Sequence, residues 1–334
     1  MLKSKKINIG ISIGDPNGIG IEIILKVLSE SHLYEECNFI IYSSLDLIVK
    51  QQDFFKITTL PLKKIDSLDK IVSDHINIKE VFSSSKFEFG KNDKEISANG
   101  IISFKEAVED AKSKKIDILI TAPINKSLSY SSSFKFLGHT DYLKNLFNID
   151  PMMLMVSDNL KLGLLTEHIP LKDVVSEITT KKVIQKIKSL TDTLKNDFLI
   201  KAPKIAILAI NPHVGDNGVI GSDDQNILIP AITDLNKDNN LIFGPFSADT
   251  FFCNENHKQY DGIIAAYHDQ GLIPFKTISF GNGVNYSSGL PIIRTSPDHG
   301  TGFDIAGQGI ASTSSFIQAL KVGLDIYKSR NTID

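Results

Sequence analysis

The sequence predicts an α/β protein, in which β-strands and α-helices alternate along the chain. Three observations support this class. Residues 7–13 carry isoleucine at every second position, and Gly-Asp-Pro-Asn-Gly then breaks the pattern before an apolar run at 21–28. Further short apolar runs recur at 116–121, 204–210 and 262–266. Segments with helical spacing separate these runs, and such alternation is typical of sheets covered by helices.

The first half of the chain begins with a strand, a glycine-rich turn and a helix, over residues 7–28. Residues 39–42 predict the next strand, 103–112 a helix and 116–121 a buried strand. Residues 50–98 are more polar and their pattern assigns no element.

The second half opens with a predicted hairpin, because Ser157-Asp-Asn159 joins the apolar runs 152–156 and 161–166. Apolar residues at helical spacing predict a helix over 183–198. Residues 204–210, 241–243 and 262–266 predict strands, and 315–327 predicts a closing helix with serine and threonine before it.

Length and composition narrow the function. A chain of 334 residues suffices for about two domains of ~150 residues each. A formal net charge of −3 without a long basic run argues against nucleic-acid binding as the main role. No apolar run reaches the ~18–20 residues of a membrane span, and Cys37 and Cys253 form no disulfide or metal framework. We therefore expect a soluble cytoplasmic protein.

Three histidines follow predicted strands at the point where each strand ends. They are His168, His213 and His268. Ligands of open α/β sheets collect at the carboxyl edge, and three imidazoles there could hold a divalent ion with positions left open. A single histidine in such a place is usually a loop or capping residue. With three in one context, the two interpretations are about equally supported.

Other polar residues nearby also have two interpretations. Arg294 is one of two arginines in a lysine-rich chain, which suits bidentate phosphate binding or a structural salt bridge. Asp249 precedes Thr250 and Asp15 lies in the first turn, so both carboxylates could simply cap backbone amides.

Segments across nearly the whole chain together resemble the 4-hydroxythreonine-4-phosphate dehydrogenase family. In order, they are Gly14-Asp-Pro-Asn-Gly-Ile-Gly-Ile-Glu22, Thr121-Ala-Pro-Ile-Asn-Lys126, Gly138-His-Thr-Asp-Tyr-Leu143, Thr166-Glu-His-Ile-Pro-Leu171, Asn211-Pro-His-Val-Gly215, Gly244-Pro-Phe-Ser-Ala-Asp-Thr250, Tyr267-His-Asp-Gln-Gly271, Gly283-Val-Asn285, Gly289-Leu-Pro-Ile-Ile-Arg-Thr295 and Asp298-His-Gly-Thr301. Asn17, Ile21 and Glu167 depart from the usual family pattern, but none of these changes removes a proposed ligand.

The resemblance implies a role for each matching position. His168, His213 and His268 would bind a divalent metal, which could be Zn, Mg, Co or Mn. The residues implied to contact a phosphorylated substrate are His139, Thr140, Lys276, Asn285 and Arg294. Lys276 and Asp249 are the candidates for acid–base catalysis. The family also pairs its subunits, so a homodimer with a shared active site is implied.

Two loops are similar to those of isocitrate and isopropylmalate dehydrogenases, which bind a nicotinamide cofactor without a Rossmann fold. One is the first turn, with Gly14 and Asp15, and the other is the loop of His299, Gly300 and Thr301. The Gly-x-Gly-x-x-Gly spacing of a Rossmann turn is absent. The resemblance implies two α/β/α domains with a cleft between them and NAD or NADP as cofactor. Their approximate bounds are 1–130 with about 300–334, carrying the cofactor loops, and 131–299, carrying the metal and substrate residues.

The implied reaction oxidises 4-phosphooxy-L-threonine at C3 and then decarboxylates it to 3-amino-2-oxopropyl phosphate, in pyridoxal 5'-phosphate biosynthesis. One alternative is a related dehydrogenase of threonate or erythronate 4-phosphate, which would keep the same residues. A more distant alternative is a phosphate acyltransferase or an inactive binding protein, and neither would need a metal site together with a cofactor loop.

Overall fold

The structure is a computed structural model, in which residues 6–30, 35–129, 134–136 and 138–332 are described. They confirm the α/β class. The chain divides into two compact units, Met1–Ile149 with Leu290–Leu324, and Asp150–Gly289 with Asp325–Asp334. Residue 130, the expected boundary, lies outside the described residues. The first unit extends to Ile149 because the segment 139–147 packs through Leu143 into the core of that unit.

The strands and helices are numbered along the chain. The strands are β1 (Ile7–Ser12), β2 (Cys37–Ser43), β3 (Leu62–Ile65), β4 (Ile76–Glu80), β5 (Ile118–Thr121), β6 (Met152–Ser157), β7 (Leu160–Leu164), β8 (Lys204–Leu208), β9 (Leu241–Phe246), β10 (Gly262–Ala265), β11 (Val284–Ser288) and β12 (Ile293–Pro297). The helices are α1 (Gly20–Leu28), α2 (Leu45–Phe55), α3 (Lys94–Lys112), α4 (Lys126–Ser129), α5 (His139–Phe147), α6 (Val174–Glu177), α7 (Thr180–Asn196), α8 (Ile229–Asn236), α9 (Ala248–Phe251), α10 (His268–Ser279) and α11 (Ser314–Thr332).

The first unit contains a parallel sheet with the strand order β3-β4-β2-β1-β5-β12. Ile9 and Ile11 of β1 are fully buried, as the alternation of isoleucines predicts. Helix α3 packs on β1, β2 and β5 and contributes Phe104 to the core. It starts at Lys94, earlier than the predicted 103, because Asp93 accepts hydrogen bonds from the amides of Glu95 and Ile96 at 2.8 and 3.0 Å.

The second unit contains the strand order β11-β6-β7-β10-β8-β9. Strand β6 is antiparallel to β11 and to β7, which confirms the predicted hairpin, and β7, β10, β8 and β9 run parallel. Its core is formed by side chains such as Leu162, Leu208, Ile263 and Phe275. No helix in the described part of the chain is long and apolar enough to cross a bilayer.

Candidate active site

The three candidate metal histidines follow three neighbouring strands of the second unit. β10 pairs in parallel with β7 on one side and with β8 on the other. His168 follows β7, His268 follows β10 and His213 follows β8. Parallel strands end at the same edge of a sheet, so all three residues lie along one edge, where ligands of α/β proteins bind.

His168 and His268 are close to each other. Their ring centroids are 5.6 Å apart, with the ring planes at 44°. The Nδ1 atom of His268 lies 2.7 Å from Oδ1 of Asp269. A carboxylate only accepts hydrogen bonds, so this contact places the proton on Nδ1 and leaves the lone pair of Nε2 available. Metal-binding histidines are commonly oriented by a carboxylate in this way.

His213 lies on an irregular turn, residues 212–218, rather than on a regular element. Its φ and ψ of 52° and 32° are in the left-handed region. Among the residues that the structure describes, no three His, Cys, Asp or Glu side chains are grouped closely enough to hold a metal ion. The imidazole nitrogens of His168 and His268 are suited to be two ligands of a divalent ion. The remaining ligands would come from other groups.

Two side chains that the sequence analysis did not single out hold these strand ends together. Thr166 Oγ1 donates to the Ala266 carbonyl at 2.8 Å. Gln270 accepts from the Ala266 amide at 2.7 Å and donates to the Ala209 carbonyl at 2.8 Å. Gln270 therefore joins the end of β10 to the end of β8. Its place two residues after His268 was visible in the sequence, but its partners depend on which strands are neighbours.

Asp249 lies in the short helix α9 and lines a cavity of about 880 Å³ in the second unit. Its Oδ1 accepts from Ser247 Oγ at 2.8 Å. This hydrogen bond lowers the pKa of Asp249, and the nearby His213 contributes in the same direction. The carboxylate is therefore ionised at neutral pH, as a proton acceptor must be, although the lowered pKa makes it a weaker base than an ordinary aspartate. The cavity also contacts Tyr267 and Asp269, which flank His268.

Lys276 and Asn285 also belong to the second unit. Lys276 is exposed near the end of α10, the helix that begins with His268. Asn285 lies on β11, and its buried Oδ1 has no hydrogen-bond partner among the described residues.

Arg294 and His139 form a buried hydrogen-bonded pair in the first unit, whereas the sequence predicts both in the second domain. Arg294, on β12, donates through Nε and Nη2 to Thr121 Oγ1 at 3.0 and 2.6 Å, and through Nη2 to His139 Nδ1 at 3.0 Å. Burial lowers the pKa of Arg294 to about 9, so it remains charged at neutral pH. Thr140 follows His139 at the start of α5 and is half-buried.

The tautomer of His139 follows from this contact. An arginine only donates, so Nδ1 of His139 accepts and Nε2 carries the proton. Burial lowers the pKa of His139 well below its usual value, and the charges of Arg294 and Lys126 lower it further. The ring is neutral at pH 7. Its Nε2–H is buried and without a hydrogen-bond partner among the described residues, as expected of a donor kept for an anion.

The two candidate cofactor loops lie against each other in the first unit. The Ile19 amide donates to the Thr301 carbonyl at 2.9 Å. A Cβ at Gly18 would lie 2.6 Å from the same carbonyl oxygen, so the turn needs glycine for this close approach. The structure thus brings the turn containing Gly14 and the loop of His299 and Gly300 to one place.

Side chains within these loops fix their shape. Asp15 is buried and accepts from Ser97 Oγ at 2.5 Å and from the Asn17 amide at 3.0 Å. Its pKa is raised, mainly by burial. His299 Nδ1 donates to the Gly300 carbonyl at 3.0 Å, which leaves Nε2 as an acceptor, with no partner in the described part of the chain. The interpretation of Asp15 as a capping carboxylate therefore agrees with its contacts.

Glu22 and Lys26, which the sequence did not single out, bind the chain at Gly309 and Ala311. This segment ends the loop that begins with His299, Gly300 and Thr301. Glu22 Oε1 accepts from Lys26 Nζ at 2.7 Å and from the Ala311 amide at 2.9 Å. Lys26 Nζ also donates to the carbonyls of Gly309 and Ala311, at 2.9 and 3.0 Å. The glutamate of the first motif is thus committed to this loop.

Comparison with known proteins places the chain among dehydrogenases of one kind. The family model described as pyridoxal phosphate biosynthetic protein PdxA matches residues 35–323. A 4-hydroxythreonine-4-phosphate dehydrogenase of a Sulfurihydrogenibium species is 41% identical over 325 residues, covering 97% of this chain and 99% of its own. The protein of the same name from Bacteroides thetaiotaomicron is 37% identical over 332 residues, covering 98% of this chain and 91% of its own.

Solved structures agree with these matches. A putative 4-hydroxythreonine-4-phosphate dehydrogenase from Salmonella typhimurium superposes with a TM-score of 0.84 at 33% identity, covering 96% of this chain and 100% of its own. An isocitrate dehydrogenase from Methylococcus capsulatus superposes with a TM-score of 0.51 at 12% identity, covering 97% of this chain and 87% of its own. This second likeness concerns the fold alone, and it confirms the predicted isocitrate dehydrogenase-like class.

Proposed function

The chain belongs to the PdxA family of pyridoxal phosphate biosynthetic proteins, and from this premise we propose that it oxidises 4-phosphooxy-L-threonine at C3 with NAD or NADP. The β-keto acid formed would lose carbon dioxide to give 3-amino-2-oxopropyl phosphate. The observation that carries the proposal is the set of three histidines at the ends of β7, β10 and β8, since this edge of the sheet is where an α/β enzyme binds its ligands.

The phosphate of the substrate would bind to the first unit. Arg294 supplies a buried positive charge, and neutral His139 supplies an Nε2–H donor fixed by its contact with Arg294. Thr140 adds a hydroxyl at the start of α5. These groups are donors, as an oxyanion requires, and they would fix the position of the reacting carbon through the phosphate. Lys276 and Asn285 would complete the substrate contacts.

A divalent ion, which could be Zn, Mg, Co or Mn, would be held by His168, His268 and His213. When bound, the ion would lower the pKa of the substrate hydroxyl and stabilise negative charge on its oxygen. Asp269 would keep Nε2 of His268 directed to it through the 2.7 Å contact at Nδ1.

Asp249 and Lys276 would move the protons. Asp249, which lines the cavity beside Tyr267 and Asp269, would accept the hydroxyl proton as an ionised carboxylate. Lys276, the single lysine of α10, would return a proton to carbon after decarboxylation.

The cofactor would lie along the two loops of the first unit that meet at Thr301. Gly14, whose positive φ of 68° shapes the turn, and Gly300, with open space where a side chain would lie, would face the cofactor, with Asp15 holding the turn. The free lone pair of His299 Nε2 would suit the exocyclic amino group of adenine, which is a donor. In this proposal the first unit carries the cofactor loops and the second carries the candidate metal residues.

A homodimer would complete the site. His168 and His268 are neighbours within one chain, while the described residues of that chain contain no group of three candidate ligands. A partner subunit that supplies the remaining ligand would make a site like that implied by the family resemblance.

The proposal is tested by substrate comparison with the purified enzyme. We expect kcat/KM for 4-phosphooxy-L-threonine to exceed the values for threonate and erythronate 4-phosphate by at least ~100-fold, because a site that hydrogen-bonds a polar group of its substrate discriminates strongly against analogues that lack this group. Release of carbon dioxide should accompany each turnover. A higher kcat/KM for either sugar-acid phosphate would contradict the proposed substrate.

A further inference from the structure

A buried carboxylate lies directly under the turn that carries His213. Asp224 is 0% exposed. Its Oδ1 accepts from the Ile210 amide at 2.7 Å, and its Oδ2 accepts from the amide of Asn211 at 2.9 Å and from Asn211 Nδ2 at 3.1 Å. The neighbouring Asp223 accepts a second bond from Asn211 Nδ2, at 3.0 Å. Both oxygens of Asp224 are therefore used to fix the backbone just before Pro212 and His213.

We call this set of hydrogen bonds the Asp224 anchor. The turn that follows it has an unfavourable backbone conformation. His213, Val214, Gly215, Asp216 and Asn217 all have positive φ, between 44° and 77°. Positive φ is uncommon for residues other than glycine, and for a β-branched residue such as Val214 it is an outlier. Such a conformation persists only where the surrounding structure determines it.

Two contacts close the turn on its far side. The Ile220 amide donates to the Gly215 carbonyl at 3.0 Å, and a Cβ at Gly215 would lie 2.2 Å from the Gly221 carbonyl oxygen. The near side is closed by Asp224, which accepts from two backbone amides and one side-chain amide, and Asp223 shares the side-chain amide of Asn211. The direction in which His213 leaves the strand end is thus set by Asp224, which binds the amides of Ile210 and Asn211 just before it.

We propose that Asp224 is a positioning residue for His213: it holds the Asn211-Pro212 segment so that the strained turn presents the imidazole at the carboxyl edge of the sheet. The inference rests on the proposed function, in which His213 binds a divalent ion. Asp224 itself does not touch the ion or the substrate. It acts through the backbone, as groups behind a metal ligand commonly do.

The chemistry of the anchor predicts which substitution breaks it. Asp224→Asn keeps the shape of the side chain but has one acceptor oxygen in place of two. Its NH2 group would then face a backbone amide that also donates, at the position of Ile210 or Asn211. We expect the segment to move and the placement of His213 to be lost, although the fold of the second unit is retained.

The experiment is a Co²⁺ titration of the full-length protein, followed by the visible absorption of the bound ion. Asp224→Asn should weaken Co²⁺ binding by at least ~10-fold, the lower end of the range for groups behind a metal ligand. Asp234→Asn is the matched control, because Asp234 lies on the neighbouring helix α8 and is 58% exposed. It should bind Co²⁺ as the wild type does. The KM for NAD(P)+ should not change in either variant.

A double mutant separates positioning from a general loss of structure. In a His213→Ala background, Asp224→Asn should have no further effect on Co²⁺ affinity, because the residue through which it acts is gone. If Asp224→Asn lowers Co²⁺ affinity as much in the His213→Ala background as in the wild type, the inference is overturned. If Asp224→Asn does not fold, Asn211→Ala replaces it. That variant keeps the backbone bonds to Asp224 and should weaken binding about three- to tenfold, and unchanged affinity would count against the anchor.

The outcome also distinguishes this inference from the proposed function. If His213→Ala weakens Co²⁺ binding and Asp224→Asn does not, only the role of Asp224 is overturned. If His213→Ala itself binds Co²⁺ as the wild type does, the metal assignment fails, and the role of Asp224 fails with it.

Discussion

Arg294 combines burial with directional hydrogen bonding. It is 3% exposed and donates to Thr121 and His139. Lysine carries the same charge but cannot donate in two fixed directions. We predict that Arg294→Lys raises KM for the phosphorylated substrate by ~10–100-fold, the range for losing charge-assisted hydrogen bonds, and that it changes KM for NAD(P)+ by less than ~2-fold. Steady-state kinetics with each substrate varied in turn measure both.

Arg330 provides the matched control for that prediction. It is the only other arginine in the sequence, and it donates to Asp197 at 2.7 Å within the second unit. Arg330→Lys should leave KM for the phosphorylated substrate unchanged, although it can lower stability. If Arg294→Lys raises both Michaelis constants equally, Arg294 is not a phosphate ligand.

His139 should make stability depend on pH. Its pKa is lowered well below the usual 6.5, first by burial and then by Arg294 and Lys126, so the unfolded chain takes up a proton more readily than the folded one. The free energy of unfolding is therefore highest above pH 6.5 and falls as the pH decreases toward the lowered value. We predict that His139→Gln reduces this slope by up to ~1.4 kcal/mol per pH unit. Urea unfolding between about pH 7.5 and 5.5 measures the slope of the unfolding free energy against pH. Equal slopes for the wild type and His139→Gln would contradict a buried, neutral His139.

His213 is the residue whose removal most directly tests the metal site. Its side chain is exposed on the turn after β8, so His213→Ala creates no cavity in the core. We predict that the variant stays folded, loses most of its Co²⁺ or Zn²⁺ affinity and retains less than ~1% of kcat. Circular dichroism, metal analysis after dialysis and turnover are the measurements. Full turnover by metal-stripped His213→Ala would exclude a catalytic role for the ion at this position.

At the scale of the elements, the arrangement of β7, β10 and β8 brings the candidate ligands to one edge. Gln270 ties two of these strand ends through Ala266 and Ala209. We predict that Gln270→Ala lowers the free energy of unfolding by ~1–3 kcal/mol, because two backbone groups lose their partner, and that it also lowers kcat. Gln259→Ala, which removes an exposed glutamine, should change neither. Urea unfolding and steady-state kinetics are the measurements. If Gln270→Ala and Gln259→Ala have the same free energy of unfolding and the same kcat, the role of Gln270 is contradicted.

Elements with strong periodicity could be predicted from the sequence, and those that depend on particular contacts could not. The alternating isoleucines of β1 have the period of 2 of a strand, and β6 and β7 are two apolar runs joined by the turn residues Ser157-Asp-Asn159. Helix α10 contains Gly271 and Pro274, both unfavourable within helices, so its pattern did not indicate a helix.

The candidate site shows the same division. The positions of the three histidines after strands could be predicted, because each strand is a short apolar run of its own. The left-handed turn around His213 and the anchor at Asp224 could not, because they depend on hydrogen bonds between Asp224 and residues 13 and 14 positions earlier in the chain. The pairing of Arg294 with His139 also joins distant segments, from β12 and α5.

At the scale of the whole molecule, the proposed dimer makes a quantitative prediction. His168 and His268 are neighbours in one chain, so a variant of His268 is best combined with one of His213. If the partner subunit supplies His213, a mixed dimer of His268→Ala and His213→Ala has one intact site in two. Random exchange of equal amounts should then restore about a quarter of the wild-type activity, as expected for a symmetric dimer. No recovery after exchange would place all ligands on one chain.

The central claim is that this chain is a dehydrogenase that needs a divalent ion and a phosphorylated substrate. The most direct test is the initial rate of NADH or NADPH formation by the purified protein with 4-phosphooxy-L-threonine. We predict formation of the reduced cofactor with release of carbon dioxide, loss of the rate after treatment with a chelator, and its return when a divalent ion is added back. No reduction of either cofactor under any of these metal conditions, with folded dimeric protein, would contradict the account.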